Sequence, residues 1–546
     1  MGYPDASMAR SDGPASQVFD QLEMLESAAD LVNPVAAVRQ MPWLAGELVK
    51  IAVGGSGIGF DGDRRFADVT WRDNPFFHLL GQSYRLFEEW MGRMVEAAEG
   101  PWDRQGRTRY LAGIVTAAVS PTNFFLANPA ALKRALETGG VSAVRGGRNM
   151  VRDLARGGMP QMVSREPLPV GEKLACTPGA VVYRDEMFEL LQYAPTTAAV
   201  RARPLLMVPP ELNRYYVLDL APGRSVVEYL VDNGIQPFMI VWRNPRAELG
   251  HGRWGLDDYL AGQARAAEVV KKITGSDTIN WLGLCAGGIT TALMLGYLAA
   301  TGESSAGSAT FIVTMLTNRC PNIIGMFDTG ESRKSLRRAA AEGQVFPGTS
   351  VRTSFAWLRP NDLVFNYLVS GWLLGQDPPS FDVLAWNDDA TAISAKFALE
   401  STELLVDAME GPEPITVLGT PIDLAKVDCD SFHIAGYTDH ITPWRAAYTT
   451  TQVLGGDKEM AVVKSGHIQS FVNPASKNRY DYWQAPPAGH DPDQWLAGAT
   501  EHHGSWWPQW ITWLTARSGP EKTPKNTLGN RTYPPLGPAP GTYVHE

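Results

Sequence analysis

Three residues of this chain have the types and the order needed to pass an acyl group through a thiol. Cys285 stands in Gly283-Leu284-Cys285-Ala286-Gly287, which has the spacing of the G-x-S-x-G nucleophile elbow with sulfur in place of the hydroxyl. Small residues two positions either side let the backbone turn sharply between strand and helix, so that the central side chain is held at the top of a sheet. A cysteine nucleophile needs a base to take its proton and a third group to orient that base. In this fold class the order is nucleophile, acid, histidine, with the last two on loops after late strands. Ser431–Trp444 supplies an apolar strand followed by Asp439, and Val462-Val463-Lys464-Ser465-Gly466-His467 supplies the next strand end and a histidine. Asp439 as orienting acid and His467 as base complete the candidate set. Blander roles exist for each: an inert buried thiol, a cap for the segment starting near Pro443, and a loop histidine. His440 competes as base, but the carboxylate of Asp439 would have to bend back on its own neighbour.

Acyl transfer through a tetrahedral intermediate also needs two donors aimed at the developing oxyanion. The amide of Ala286, directly after the nucleophile, is the first. The second comes from the loop after an early strand, here Val208-Pro209-Pro210-Glu211-Leu212-Asn213. The prolines have no amide hydrogen. Glu211 or Leu212 must therefore donate, and Leu212 is assigned.

The elements that position these residues follow from texture. Short β-rich runs at Pro204–Val208, Pro237–Trp242, Thr278–Leu284, Thr310–Met315, Ser431–Gly436 and Glu459–Val463 alternate with helical patterns at 222–234, 256–274 and 287–301. Such alternation predicts an α/β fold with a mostly parallel sheet covered on both faces. Two further strands, near 180–183 and 187–193, flank the turn Arg184-Asp185-Glu186. Before them, Val18–Ala52, Phe76–Glu99 and Ala130–Leu154 carry helical periodicity, and the stripe Phe77, Leu80, Tyr84, Phe87, Trp90 and Met91 is expected to pack as core. Residues 1–20 read as disordered, 21–176 as a mostly helical domain and 177–546 as the catalytic domain. Within the latter, about 317–395 is irregular and aromatic-rich and reads as a cap or lid. A Pro-rich tail over about 520–546 is expected to run extended over the surface.

Composition narrows the function. The net charge is −10, with no cluster of Lys and Arg, which argues against nucleic acid as a partner. Four cysteines show no metal-ligand spacing and no disulfide framework, so no metal or cofactor is expected and a reducing cytosol fits best. Met1–Gln17 has no apolar run after a basic start, so no secretory signal is expected. Thr278–Gly302 lacks charge, but its glycines, Asn280, Thr290 and Thr291 argue against a membrane span.

Seven motifs resemble the single-subunit polyhydroxyalkanoate synthases, and the resemblance is collinear from about Asn74 to Tyr543. They are Val-Pro-Pro-x-Leu-Asn-Arg-Tyr-Tyr at 208–216, Trp-Arg-Asn-Pro at 242–245, Gly-Leu-Cys-Ala-Gly-Gly at 283–288, Arg-Pro-Asn-Asp-Leu-Val-Phe-Asn-Tyr at 359–367, Asp-His-Ile-Thr-Pro-Trp at 439–444, Ser-Gly-His-Ile at 465–468 and Gly-Ser-Trp-Trp-Pro at 504–508. The resemblance implies an α/β-hydrolase fold with a cap insertion and a helical N-terminal domain. It also implies that Cys285 attacks the thioester of an (R)-3-hydroxyacyl-CoA and holds the acyl group, releasing CoA. His467 would deprotonate the thiol or the next 3-hydroxyl, and Asp439 would orient His467. The implied partners are the growing polyester, the surface of a cytoplasmic polyester granule and a second copy of the chain. A thioesterase or depolymerase with the same residues is the alternative, and a non-catalytic granule scaffold is a further one. Glu211 departs from the family pattern, in which Cys or Gln is common, and an outward orientation is expected for it.

Overall fold

Uncharged runs of Leu, Ile, Val, Phe and Met can be strands only where both faces are covered, and they form the middle of one large sheet. The computed structural model describes residues 21–164, 168–303, 305–317, 321–409 and 413–546. The expectation of disorder for residues 1–20 lies outside the described residues.

The sheet has eleven strands: β1 Gly179–Arg184, β2 Phe188–Tyr193, β3 Leu205–Val208, β4 Pro237–Trp242, β5 Ile279–Leu284, β6 Ala306–Ile312, β7 Asp430–Gly436, β8 Lys458–Val463, β9 Tyr482–Ala485, β10 Thr500–His502 and β11 Gly537–Pro538. Their spatial order is β10-β9-β8-β7-β6-β5-β3-β4-β2-β1-β11. The six strands from β8 to β4 in that order pair in parallel. The flanks pair antiparallel. The expectation of a mostly parallel sheet is therefore corrected: parallel pairing is confined to the centre. Every residue of β3, β4 and β5 is buried, as strands covered on two sides require. The strand anticipated at Thr310–Met315 begins earlier and ends at Ile312, because Val313 takes φ 44° and leaves the pleat. Strands β9 and β10 follow β8, and with four and three residues they hold no alternation to read.

Ten helices are named in chain order. Six precede the sheet: α1 Gln21–Leu31, α2 Pro34–Ala52, α3 Pro75–Glu96, α4 Trp102–Ala118, α5 Pro129–Glu137 and α6 Val141–Leu154. Asn33 caps α2, Asn74 caps α3 and Asn128 caps α5, each through its side-chain oxygen with proline as the first helical residue. That Asn-Pro pairing starts a helix because the asparagine satisfies orphan amides while proline needs none. Within α3, Tyr84 and Met91 are buried, with Phe77, Leu80, Phe87 and Trp90 packed beside them.

In the second part of the chain, α7 Val226–Asp232, α8 Leu256–Thr274 and α9 Ala286–Thr301 connect the parallel strands, and α10 Trp507–Ala516 follows β10. Trp506, Trp507 and Trp510 are fully buried among sheet residues. The chain divides into two compact units, and the division does not follow chain order. One unit contains the described residues up to Met162 together with 326–338 and 352–378; the other contains the rest. Interval 317–395 is thus shared between them. Within the first unit, Gly106 meets the Met326 side chain and Gly146 lies against the Trp372 backbone, where any larger residue would collide. Residues 382–388 form a helix whose Trp386 is buried and donates to the Arg214 carbonyl at 2.8 Å, so that aromatic packs as core of the second unit.

The tail corrects another expectation. It runs extended, but β11 joins the edge of β1, and Tyr543 and Val544 are buried. Buried Glu189 collects the chain there, accepting from Thr542 N at 2.8 Å and Tyr543 N at 3.0 Å.

Candidate active site

Between β5 and α9 the backbone turns at Cys285, which takes φ 53° and ψ −117°. A non-glycine residue there costs on the order of 1–3 kcal/mol and persists only where its surroundings fix it. Cys285 N donates to Ile312 O at 2.8 Å, and Cys285 O accepts from Gly288 N at 3.0 Å. Glycine on either side is a matter of space. A Cβ on Gly283 would lie 2.5 Å from Gly288 Cα, and one on Gly287 would lie 2.6 Å from Pro209 O. Cys285 is partly exposed at this corner. Ala286 opens α9, so its amide has no intrahelical acceptor and points where the helix end favours negative charge.

His467 is the first residue of the short helix His467–Phe471, after the loop that leaves β8. Its Nδ1 donates to Asp439 Oδ2 at 2.6 Å. The second carboxylate oxygen accepts from Ile441 N and Thr442 N, each at 2.9 Å. Asp439 does not cap the helix Trp444–Thr450, which starts after Pro443 with no side-chain cap; one of its oxygens closes the turn before that helix and the other holds the ring. The Asp439 side chain is fully buried and that of His467 is 10% exposed. Burial alone would lower the imidazole pKa. The charge and hydrogen bond of Asp439 act the other way, the Cys285 sulfur adds to them, and the result lies at about 10. Asp439 and His467, 28 positions apart in the chain, are thus in hydrogen-bond contact, and the Cys285 sulfur lies near enough to raise the ring's proton affinity. Nδ1 is committed to Asp439, so Nε2 is the nitrogen left for proton transfer. His440, the competing base, is exposed.

The loop after β3 flanks the corner from the other side. Its Pro209 carbonyl accepts from Trp242 Nε1 at 3.1 Å and sits against Gly287 on the first turn of α9. Leu212 is half-buried on this loop. Glu211 does not point outward: it is 2% exposed, and its Oε1 accepts from Thr290 Oγ1 of α9 at 2.7 Å. Thr290 in turn accepts from Gln263 Nε2 of α8 at 2.7 Å. Burial raises the Glu211 carboxyl to about 7, against the opposing effect of Thr290. Neither Thr290 nor Gln263 stands out among the sequence motifs. The available signal is a polar residue on a core-facing stripe: Thr290 in an uncharged helix, and Gln263 between Tyr259, Leu260 and Ala266, all buried. Among the described residues one group has metal-ligand spacing, Asp481, Glu501 and His503. It lies on the surface at the β9–β10 edge, and His503 pairs with Asp481 there while Lys464 pairs with Glu501.

Comparison with known proteins accounts for nearly the whole chain. Residues 62–230 match the family described as poly-beta-hydroxybutyrate polymerase (PhaC) N-terminus, and residues 232–474 match the alpha/beta hydrolase fold. Poly(3-hydroxyalkanoate) polymerase 2 of Ectopseudomonas oleovorans is 40% identical over 522 residues, covering 95% of this chain and 93% of that protein. The chain belongs to the poly(3-hydroxyalkanoate) polymerase family. A second family member, the polymerase subunit PhaC of Cupriavidus necator, is 40% identical over 88% of this chain and 83% of its own. Among solved structures, a monoacylglycerol lipase of Paleococcus ferrophilus is 13% identical with a TM-score of 0.33, covering 60% of this chain and 99% of that one. That likeness is too slight to argue from. The fold of this polymerase family member is an α/β-hydrolase sheet with a helical N-terminal region, and among its described residues no helix is long and apolar enough to cross a membrane.

Proposed function

We propose that the chain polymerises (R)-3-hydroxyacyl-CoA into polyester through a thioester on Cys285. One observation carries this reading: a nearly buried imidazole, fixed by Asp439, whose proton affinity is raised by Asp439 and further by the Cys285 sulfur. An imidazole held in this way can accept the thiol proton as sulfur attacks. Sulfur attacks the thioester carbonyl, and the oxyanion is met by the amides of Ala286 and Leu212. As the tetrahedral intermediate collapses, the bond to the CoA sulfur breaks and His467 returns its proton to that leaving group. The acyl group is now joined to Cys285. His467 next takes the proton of the 3-hydroxyl that attacks this thioester, an ester bond forms, and the Cys285 sulfur leaves. Exchange of one thioester for another is nearly balanced, which suits a cysteine better than a serine.

Water must be kept from the acyl-enzyme, or hydrolysis replaces extension. We assign that task to a cap within 317–395. A homodimer in the cytoplasm, attached to the surface of the polyester granule, completes the reading. The family membership and the site geometry support the polymerase chemistry.

The test is incubation with 3-hydroxybutyryl-CoA and a longer homologue, following released CoA, free hydroxy acid and insoluble polyester. Polyester accumulating with CoA release is expected. CoA release with stoichiometric free acid and no polyester would mean a thioesterase or depolymerase using the same three residues. Cys285→Ala is expected to abolish CoA release while the protein stays folded, and turnover equal to wild type would refute the covalent route.

A further inference from the structure

The carboxyl of Glu211 has no place in the chemistry above, yet it is buried beside it. Its Oε1 accepts from Thr290, and Thr290 is five residues into the helix that begins after the nucleophile. Its Oε2 is buried with no hydrogen-bond partner, and so is Gln263 Oε1 on the neighbouring helix. Two buried acceptors without a donor is a costly arrangement, of the kind folded proteins avoid. The titratable and charged side chains facing the site are few. Tyr259 of α8 is the titratable one; the polar neighbours are Gln263 of α8 and Thr290 of α9, and the Trp242 indole of β4 holds the loop at Pro209. None brings a positive charge. A single proton on the carboxyl is the one hydrogen that supplies a donor without adding charge.

Resting on the polymerase reading, we propose that Glu211 is a positioning residue, a neutral carboxylic acid that latches the oxyanion loop onto the nucleophile helix through Thr290 and Gln263. The protonated oxygen donates within this network and the other accepts from Thr290. Loop 208–212 then keeps a fixed distance from Ala286, and both oxyanion donors stay aimed at one point. The carboxyl pKa of about 7 agrees with a group that is neutral in mildly acidic solution and ionises just above it. Once ionised, the carboxylate has a donor on Oε1 alone, and the loop must loosen to admit water to Oε2.

The folded carboxyl titrates at about 7, above the ordinary glutamate value of 4.5. Its stabilising contribution is complete below about 4.5 and is lost as pH rises through about 7.

The experiment compares wild type with Glu211→Gln and Glu211→Ala. Glutamine presents the same donor and acceptor at every pH. In CoA-release assays, wild-type kcat is expected to fall as pH rises past about 7, while Glu211→Gln stays flat through that range. Glu211→Ala is expected to lose roughly ten-fold in kcat at all pH values with KM little changed, as for a misaimed oxyanion donor. Superimposed wild-type and Glu211→Gln profiles, or wild-type kcat in Glu211→Ala, would overturn the latch. Thermal unfolding provides a readout free of turnover: Glu211→Gln is expected to gain Tm relative to wild type as pH rises from about 5 to about 8. A Tm difference that ignores pH would sink the latch even if polymerisation is confirmed, and the predicted drift would uphold the neutral carboxyl even if no polyester forms.

Discussion

The loop after β7 and the loop after β3 both bury a carboxyl beside the Cys285 corner, and they treat it in opposite ways. Asp439 has a donor for each oxygen: two amides on one and the imidazole on the other. Glu211 has a donor for one oxygen only. A carboxylate with full hydrogen bonding can stay ionised in the interior and act as a fixed negative charge, whereas one half-satisfied is driven toward its neutral form. The same functional group thus serves on one side as an electrostatic partner for His467 and on the other as a hydrogen-bonding strut.

Three substitutions sharpen or break this contrast. The largest effect is expected for Asp439→Asn, which keeps the shape and removes the charge, leaving the imidazole wrongly held; kcat is expected to fall roughly 10³-fold. Alkylation of Cys285 by iodoacetamide should slow in parallel, and an unchanged alkylation rate would detach Asp439 from the thiol. Next is Gly287→Ala. The new Cβ would press on the Val208 and Pro209 carbonyls and displace the oxyanion loop, with kcat expected to fall roughly 10²-fold. Because His467 and Asp439 are untouched, alkylation is expected at the wild-type rate; if it falls too, the two sides are not independent. The smallest effect is expected for Trp242→Phe, which removes the donor to Pro209 O. Leaving one buried carbonyl unpaired costs about 1–3 kcal/mol in stability, readable by urea unfolding, and kcat is expected to change only a few-fold.

Legibility in the sequence follows the range of each interaction. The corner at Cys285 is written locally: a charge-free run, glycines two positions either side, and a helix of Ala, Leu and Met. The starts of α2, α3 and α5 are equally local, since Asn-Pro carries both the cap and the first helical residue. Strand β9 and strand β10 were not readable, because three or four residues hold no periodicity, and their place in the sheet comes from pairing with β8. The tail shows the same limit. Its prolines foretell extension, but not that Tyr543 and Val544 find a buried site or that Glu189 waits for their amides.

Taken alone, the sequence determined the α/β alternation, the thiol corner and the order of nucleophile, acid and histidine, because each depends on residues close together in the chain or on uncharged segments that must be covered. Only the tertiary structure decided how the two carboxyls differ. The amide donors of Asp439 lie two and three residues away, but its histidine is 28 residues on, and the single partner of Glu211 is 79 residues away. Whether a buried oxygen receives a donor depends on what packing brings to it, and that is settled by the assembly of sheet and helices and not by the neighbours in the chain.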